Sequence, residues 1–463
     1  MTRQTAPGAL RWIARIVVVA ALGTLLAWAA TLLPVGKIGD RSATVAQSND
    51  QGLVKRGEYL AKAGDCVACH TAPEGEPFAG GLPMVAPIGT IYSSNITPDP
   101  EAGIGHYSFG DFERAVRRGI RPNGDTLYPA MPYPSYARVT DADMQALYAY
   151  FMHGVKPVNK PDRANGIRWP LSMRWPLTYW RWMFGPAAPA PASATTDAVV
   201  DRGAYLVEGL GHCGACHTPR AITMQEKALT GGSASFLSGG IADNWIAPSL
   251  RNDSNDGVGR FQVGDLVQLL KGGSIGRTSV FGGMTDVVQH STQYMSDADL
   301  QAIAVYLKSL GGANASAPFT EDPTAARNLR AGITPDRGSR HYVDNCATCH
   351  RTTGKGYESV FPALAGNPVV LSDAPTSLVH IVLAGSISPS TSQAPAQFTM
   401  PPFADRLSDQ DIADILSFVR TSWGNQQTTV DAGQVARLRK TLPPPLAAKS
   451  IYDPRATDAN TGK

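Results

Sequence analysis

The stretch GHCGACHTPR, residues 211–220, decides the fold, because it sets two cysteines three positions apart with a histidine directly after the second. The same arrangement recurs in GDCVACHTAP at 64–73 and in DNCATCHRTT at 344–353. These three stretches use all 6 cysteines of the 463-residue chain, so no thiol is left for a structural disulfide framework. One chemistry must therefore account for every cysteine.

The Cys-x-x-Cys-His pattern is typical of covalent c-type haem attachment. On a helical turn, residues at i and i+3 point to the same side, so both sulfurs can bond the two vinyl groups of one planar macrocycle. The histidine that follows is then placed under the iron as an axial ligand. A zinc site would usually need two such pairs close in sequence, or one pair with a His-x-x-x-His motif. A thioredoxin-like redox pair would need a βαβ context and would not demand the histidine. The sequence therefore predicts three haem c groups, with thioether bonds from Cys66, Cys69, Cys213, Cys216, Cys346 and Cys349 and proximal iron ligands at His70, His217 and His350.

Each cysteine motif belongs to a repeated unit. The unit opens with an Arg-Gly pair and closes with a helix whose start reads as a capping box, with a Ser or Thr cap and an Asp three residues later. That helix carries an aromatic residue at a fixed offset, which we expect to pack it on the first helix where the glycine permits close approach. The glycines are Gly57, Gly203 and Gly338, and the helix caps are Thr140, Ser296 and Ser408. The aspartates are Asp143, Asp299 and Asp411, and the aromatic residues are Tyr150, Tyr306 and Phe418.

Two Pro/Ala- or Gly/Ala-rich stretches separate the units, GPAAPAPASATT at 185–196 and GGANASAPFTEDPT at 311–324. They divide the chain into six predicted parts. These are an anchor or signal segment (1–36), cytochrome c domain 1 (50–160), a Trp/Arg-rich and Pro/Ala-rich linker (161–197), domain 2 (198–312), domain 3 (325–425) and an extended tail (426–463).

Residues 16–33 form an uncharged apolar run, with Arg3, Arg11 and Arg15 before it and no acidic residue until Asp40. The positive-inside rule then places the N-terminus in the cytoplasm and the rest of the chain outside it. The run meets the length of about 18–20 residues needed to span a membrane. It also contains a small-x-small cleavage candidate at 27–29, so an uncleaved anchor and a cleaved signal both stay open. Either one predicts a location on the periplasmic side of the cytoplasmic membrane.

The second axial ligand of an electron-transfer haem is often a methionine, whose thioether raises the reduction potential. Such a ligand should lie in the loop before the closing helix. Met131 and Met400 fit, each followed directly by a proline that stiffens the loop. Met284 fits in domain 2, because its rival Met295 occupies the apolar position before the helix cap and is expected to pack in the core. The predicted distal ligands are Met131, Met284 and Met400.

The remaining histidines occupy no repeated position and are expected to be surface or core residues. His290 and His341 are the two to consider as rival axial ligands. The Trp/Arg-rich stretch at 167–186 could face a membrane interface or a partner, or could form a helix packed between haem domains. Its tryptophans are Trp169, Trp175, Trp180 and Trp182.

Several longer motifs resemble one family. They are GTIYSSNITPDPEAGIGHYS, YPAMPYPSY, WPLSMRWPL, GHCGACHTPRAITMQEKAL and HSTQYMSDADLQAIAVYLKSL. The chain is similar over about residues 50–425 to the three-haem cytochrome c subunits of bacterial membrane-bound alcohol dehydrogenases, and to those of gluconate, sorbitol, fructose and aldehyde dehydrogenases.

The resemblance implies an all-α fold of three tandem class-I-like cytochrome c domains. The N-terminal transmembrane or signal helix is predicted from the apolar run itself, and its length departs from the ordinary cleaved signal of many family members. The resemblance also implies a subunit that is not catalytic alone. Such a subunit takes electrons from a large dehydrogenase subunit of the PQQ, flavin or molybdopterin type and passes them to ubiquinone at the cytoplasmic membrane. A free-standing shuttle to a terminal oxidase and a haem peroxidase are the alternatives. The net charge of +3 is too small for this chain length to indicate nucleic-acid binding.

Overall fold

The fold is taken from a computed structural model of the chain. The structure describes residues 7–31, 50–185, 197–242, 244–252, 257–312, 319–358 and 360–442. Residues 186–196 and 313–318 of the predicted linkers, and residues 443–463 of the predicted tail, lie outside the described residues.

Domain 1 and its flanking segments are mainly helical. The helices are α1 Pro7–Thr31, α2 Gln51–Ala63, α3 Cys66–Cys69, α4 Phe109–Arg118, α5 Tyr133–Tyr136, α6 Asp141–His153 and α7 Trp175–Phe184. An antiparallel sheet contains β1 Pro83–Ala86, β2 Gly89–Tyr92 and β3 Gly166–Ile167 in that order. Met84 pairs with Ile91, and Gly89 pairs with Ile167. Because β3 comes from the predicted linker, the first part of that linker is fixed to domain 1.

Domain 2 repeats this arrangement with two small hairpins. Its helices are α8 Ala198–Ala204, a π-helical turn Tyr205–Leu210, α9 Gly214–His217, α10 Val263–Gly272, α11 Gly283–His290, a 3-10 turn Thr292–Tyr294 and α12 Asp297–Ser309. Its strands are β4 Gly240–Ala242, β5 Trp245–Ala247, β6 Ser274–Ile275 and β7 Thr278–Ser279. β4 pairs with β5 and β6 with β7, both antiparallel.

Domain 3 is the shortest of the three units. Its helices are α13 Thr324–Arg330, α14 Arg337–Asn345, α15 Ala347–His350, α16 Pro368–Leu371, α17 Thr376–Ala384, α18 Asp409–Thr421 and α19 Ala432–Arg439. Strands β8 Ser386–Ile387 and β9 Thr399–Met400 form an antiparallel pair. Helix α19 lies in the predicted extended tail and packs on α18, with Val435 fully buried. This part of the tail is therefore helical.

The first and last helices of each unit cross at the predicted glycine. A Cβ added to Gly57 would lie 1.9 Å from the Ala146 carbonyl oxygen of α6. At Gly203 and Gly338 the corresponding distances, to carbonyl oxygens of α12 and α18, are 2.1 and 2.2 Å. The Cβ carbons of the predicted aromatic residues Tyr150, Tyr306 and Phe418 are also close, at 2.6, 2.5 and 3.0 Å. The predicted close crossing is confirmed in all three units.

The predicted N-caps of the closing helices are also confirmed. Thr140, Ser296 and Ser408 each accept a hydrogen bond of 3.2 Å from the backbone N–H of the aspartate three residues later. The reverse half of the capping box forms only at Ser408, whose N–H donates to Asp411. In domains 1 and 2 the aspartate side chains instead bind an arginine and a tyrosine, as described below.

Domains 1 and 2 share one hydrophobic core, whereas domain 3 has its own. The shared core runs from Leu60 of α2 through Leu206 to Leu310 at the end of α12. The second core surrounds Tyr342, Ile412 and Trp423. Since burial of apolar surface is the main stabilising term in folding, the first two domains should behave as one cooperative unit.

The prediction of an all-α protein is wrong. Among the described residues, nine short strands form four antiparallel sheets; eight of the strands lie in the loops between attachment turns and closing helices, and β3 follows the closing helix of domain 1. The strands are two to four residues long. Strands this short carry almost no period-2 hydrophobic signal, which is why the sequence pattern missed them.

The predicted N-terminal transmembrane or signal helix needs a second correction. A helix does form, as α1, and it takes in Arg11 and Arg15 while the last two apolar residues of the run, 32 and 33, lie outside the described part. No helix among the described residues combines the length and the apolar character that a membrane crossing requires.

The Trp-rich segment packs against other parts of the chain on one side. The Tyr179 hydroxyl of α7 donates to the Ala27 carbonyl of α1 over 2.6 Å, and Trp180 Nε1 donates to the Thr223 carbonyl of domain 2 over 2.7 Å. Trp169, in contrast, is 79% exposed. The interpretation as a packed helix is confirmed for α7, whereas a membrane or partner contact of the exposed Trp169 stays a prediction.

Candidate haem-attachment sites

Each Cys-x-x-Cys-His motif forms the predicted helical turn. The backbone N–H of His70 donates to the Cys66 carbonyl over 3.0 Å, which closes one α-helical turn around the motif. The same bond joins His217 to Cys213 over 3.0 Å and His350 to Cys346 over 2.9 Å. The turn holds both cysteines and the histidine in one local frame, as attachment of a single macrocycle requires.

The two cysteines of each motif differ in exposure. The first of each pair packs against a hydrophobic core, and burial raises the pKa of Cys66, Cys213 and Cys346 to about 12. Cys69 and Cys216 are exposed, and Cys349 is half-buried. All six cysteines lie in the described residues and none of them forms a disulfide bond, so both sulfurs of each motif are available for thioether bonds.

Each of the three motif histidines makes an equivalent hydrogen bond to a backbone carbonyl, which the sequence did not predict. His70 Nδ1 lies 2.7 Å from the Ser94 carbonyl oxygen, His217 Nδ1 2.8 Å from that of Pro248 and His350 Nδ1 3.0 Å from that of Pro362. A carbonyl oxygen can only accept, so Nδ1 carries the proton in each ring and Nε2 keeps its lone pair. This is the arrangement of a metal-ligating histidine, in which the second ring nitrogen is fixed by a backbone carbonyl.

The rings are also kept neutral. Burial lowers the pKa of His70, His217 and His350 below the ordinary value of 6.5, while the hydrogen bond to each carbonyl acts in the opposite direction to a smaller extent. A neutral imidazole is the form that can bind iron. Two thiols and a neutral, oriented imidazole at each motif fit covalently attached haem c.

The carbonyl acceptors could have been found from the repeat. The passages SNITPDPEAGIGHYS and PSLRNDSNDGVGRFQ align between domains 1 and 2, and their first residues are Ser94 and Pro248. The two residues whose carbonyls accept the hydrogen bond from the motif histidine therefore occupy aligned positions in the sequence. Pro362 could not be found in this way, because domain 3 lacks the passage.

The predicted distal methionines occupy three different settings, and all three are half-buried. Met131 precedes α5 and packs against the shared core, which Cys66 also borders. Met400 lies in β9 opposite Ser386 and packs against the domain 3 core together with Cys346. Met284 is the second residue of α11. The structure brings Met131 and Met400 to the same cores as their own attachment cysteines, and the role of all three as iron ligands stays a prediction.

Helix α11 faces domain 1 as well as its own domain. It packs on α3, the attachment turn of domain 1, and Ser291 at its end donates to the Ala63 carbonyl over 3.4 Å. Conversely, α5 of domain 1 packs on the π-helical turn that precedes Cys213. The methionine side of each of these two domains therefore lies against the attachment region of the other.

The two rival histidines are placed differently from one another. His341 Nε2 lies 3.2 Å from Asp411 at the start of α18, so that ring is engaged away from the attachment turn. His290 is half-buried at the end of α11, beside Gln289. Met295, expected to pack, is 4% exposed in the shared core, which confirms that prediction.

Two other histidines lie at domain boundaries. His212 of domain 2 forms an edge-to-face pair with Tyr136 of domain 1, with ring centroids 5.5 Å apart. The Tyr136 hydroxyl donates to the Gly64 carbonyl over 3.1 Å, two residues before Cys66, while His212 directly precedes Cys213. His380 of domain 3 stacks on Trp245 of domain 2. Sequence reasoning missed both pairs because neither histidine recurs in the repeat.

An unpartnered acid borders the second attachment turn. Glu226 Oε2 is buried, has no hydrogen-bond partner among the residues that the structure describes, and would lie 2.5 Å from a Cβ added to Gly214. Burial raises the pKa of Glu226 to about 7, with Arg220 acting in the opposite direction.

Known proteins are similar to one part of this chain and to most of its length. Residues 335–423, which include the third motif and Met400, match the sequence profile of the cytochrome c family. The gluconate 2-dehydrogenase cytochrome c subunit of Pantoea cypripedii is 55% identical over 415 residues, which cover 88% of this chain and 94% of that protein.

The chain belongs to the family of dehydrogenase cytochrome c subunits.

Other members support this identification of the cytochrome subunit. The cytochrome c subunit of the quinone alcohol dehydrogenase of Gluconobacter oxydans is 52% identical over 407 residues, covering 87% of this chain and 85% of that protein. The fructose dehydrogenase cytochrome subunit of Gluconobacter japonicus is 36% identical over 408 residues, with 83% and 82% covered. The cytochrome subunit is therefore an electron-transfer protein whose domain implies covalently bound haem c.

Proposed function

We propose that the cytochrome subunit carries three haem c groups, one on each attachment turn, and passes single electrons from a catalytic dehydrogenase subunit to ubiquinone. The observation that carries this proposal is the hydrogen bond shared by His70, His217 and His350. Each of these histidines directly follows a Cys-x-x-Cys pair, and each donates its Nδ1–H to a backbone carbonyl. Three histidines without a common role would not be expected to share both features. The repeated geometry supports the same ligand in all three domains.

Three kinds of residue would hold each haem. The six motif cysteines would supply the thioether bonds, the three motif histidines the proximal ligands, and Met131, Met284 and Met400 the distal ones. Bound haem c would supply a one-electron iron couple. The carbonyls of Ser94, Pro248 and Pro362 fix each imidazole in the Nδ1–H tautomer and increase its basicity.

The partner is proposed from the names of the relatives. They are subunits of gluconate, alcohol and fructose dehydrogenases, so we propose a separate large subunit that oxidises an alcohol, sugar, sugar acid or aldehyde. That subunit would contain PQQ, flavin or molybdopterin. The cytochrome subunit itself is then not catalytic alone.

The electron acceptor and the location follow from the same relatives. Because the alcohol dehydrogenases are named as quinone enzymes, we propose ubiquinone as acceptor. Ubiquinone is dissolved in the bilayer, so the complex should work at the periplasmic side of the cytoplasmic membrane. Cell fractionation that recovers the chain in the cytoplasm would contradict this location.

Purification of the native complex in mild detergent tests the proposal. We expect a large dehydrogenase subunit to copurify and the preparation to reduce a ubiquinone analogue when the dehydrogenase substrate is added. A chain that emerges alone and reduces a terminal oxidase directly would instead be a free-standing electron shuttle.

A further inference from the structure

A stacked pair of rings joins domains 2 and 3. Trp245 of β5 and His380 of α17 lie with ring centroids 3.8 Å apart and ring planes 11° from parallel. His380 is 7% exposed, and its Nδ1 lies 3.2 Å from the Asn244 carbonyl. Ser377, one helical turn earlier, accepts from the Ile246 N–H over 2.8 Å. The strand and the helix are thus held together on both sides of the stack.

On the domain 2 side, Trp245 lies close to the second attachment site. It is three residues before Pro248, whose carbonyl accepts the Nδ1–H of His217 over 2.8 Å. Its ring also packs against Gly282, two residues before Met284, since a Cβ added there would lie 3.0 Å from the indole. Trp245 therefore lies on the strand that leads to the hydrogen-bond acceptor of the proximal ligand, and its ring contacts the segment that carries the predicted distal ligand.

On the domain 3 side, His380 belongs to the helix that leads into the Met400 hairpin. Helix α17 ends at Ala384, and Ser386 two residues later pairs with Met400. The Phe403 N–H donates to the Val382 carbonyl over 2.9 Å, which fixes the Met400 segment along the same helix. The stack thus lies between the proximal side of the second site and the methionine side of the third.

Hydrogen bonds join domains 2 and 3 elsewhere along this boundary. Asn367 Nδ2 donates to the Arg277 carbonyl over 3.2 Å, and Gln293 Nε2 donates to the Ser390 carbonyl over 3.2 Å. Gln293 Oε1 also accepts from the Ser392 N–H over 3.2 Å. Among the described residues, the stack is the contact between two aromatic rings across this boundary.

We propose that the Trp245–His380 stack is the route by which electrons cross between domains 2 and 3. This inference rests on the proposed three-haem function. One electron leaves the ferrous iron of one site, which becomes ferric, and arrives at the ferric iron of the other, which becomes ferrous. No bond forms or breaks, no proton moves, and neither ring is itself oxidised. The two rings act by shortening the gap that the electron must cross.

The test uses the full-length holoprotein and intramolecular electron exchange. A small photoreductant reduces part of the haem, and absorbance follows the redistribution between sites. One kinetic phase of this absorbance change should involve the third site. It is identified as the phase that is lost in the Cys346→Ala/Cys349→Ala protein, which cannot attach haem there. We expect Trp245→Leu and His380→Leu each to slow that phase by about tenfold or more, because removal of either ring breaks the 3.8 Å stack and lengthens the gap that the electron must cross between the domains. Trp245→Phe should restore most of the rate.

Gln293→Ala is the matched control, because it loosens the same boundary without touching the stack. Haem mass and midpoint potentials are measured in every variant, so that altered driving force is separated from an altered route. Exchange at the wild-type rate in a three-haem Trp245→Leu or His380→Leu protein would overturn the inference, and so would equal slowing by Gln293→Ala. Wild-type protein with fewer than three haems would instead overturn the proposed function.

Discussion

Tyr59 and Tyr205 are equivalent residues of domains 1 and 2, and each donates its hydroxyl to an aspartate of the other domain. Tyr205 reaches Asp143 Oδ2 over 2.5 Å, and Tyr59 reaches Asp299 Oδ2. Each aspartate is also held by an arginine of its own domain, Asp299 by Arg202 over 2.7 Å. The exchange is reciprocal, so it relates the two domains by an approximate two-fold axis. Domain 3 has Arg340 at the corresponding position and takes no part.

Removing either hydroxyl should weaken the joint unit of domains 1 and 2. We expect Tyr59→Phe and Tyr205→Phe each to lower its free energy of unfolding by about 1–3 kcal/mol, because a partly buried carboxylate loses a hydrogen bond. Chemical denaturation of the holoprotein measures this change. Tyr294→Phe is the control, since that ring packs on Lys62 of domain 1 but is 50% exposed. Equal loss in the control, or none in the variants, would refute the role of the exchange.

Glycine crossings should be intolerant of any side chain. Gly57→Ala would force Cβ to 1.9 Å from the Ala146 carbonyl, so α2 and α6 must separate. We expect a loss of about 3 kcal/mol or more, or failure to fold, as measured by thermal unfolding. Gly264→Ala is the matched control in α10, where a Cβ would have no atom within 4 Å. That change should be neutral or stabilising by up to about 1 kcal/mol. A stable Gly57→Ala protein would contradict the close crossing.

Stability should fall with rising pH through the titration of Glu226. Burial raises its pKa from 4.5 to about 7. A raised pKa of an acid means that the folded state binds the proton more tightly than the unfolded state, so the contribution is full below pH 4.5 and is lost as pH rises through 7. Glu226→Gln should remove this part of the decline and unfold at a higher temperature than wild type above pH 7. If the melting temperatures of wild type and Glu226→Gln changed with pH in the same way, the assignment of this decline to Glu226 would be contradicted.

The third site should open when its predicted distal ligand is removed. Met400→Ala should keep haem attached through Cys346 and Cys349 but lose the iron–sulfur absorption and lower the potential of that site, since the thioether ligand raises it. Visible spectroscopy and redox titration measure both changes, and added cyanide should bind the variant faster than wild type. Met295→Leu is the control, because Met295 lies in the core. An unchanged spectrum and potential in Met400→Ala would remove Met400 as the ligand.

Local features of the fold could be predicted from the sequence, because each depends on residues within one helix or one turn. The caps at Thr140, Ser296 and Ser408 are of this kind, and so are the attachment turns. The crossing glycines could also be found, because the repeat shows them three times. The short strands could not be found, because two to four residues carry no periodicity.

Contacts between domains could not be predicted in the same way. Tyr59 and Asp299 are 240 residues apart in sequence, and His380 and Asn244 are 136 apart. Neither pair belongs to a motif, and a single sequence gives no signal for such distances. The capping-box pattern even misled in part, because Asp143 and Asp299 fit a box yet bind Arg and Tyr side chains instead.

Intact-mass spectrometry of the mature holoprotein, made in a host that assembles c-type cytochromes, tests the central claim most directly. The account predicts a polypeptide carrying three covalently added haems, with each of the double variants Cys66→Ala/Cys69→Ala, Cys213→Ala/Cys216→Ala and Cys346→Ala/Cys349→Ala losing one. A mature chain with two or fewer added haems, or a double variant that still carries three, would contradict it.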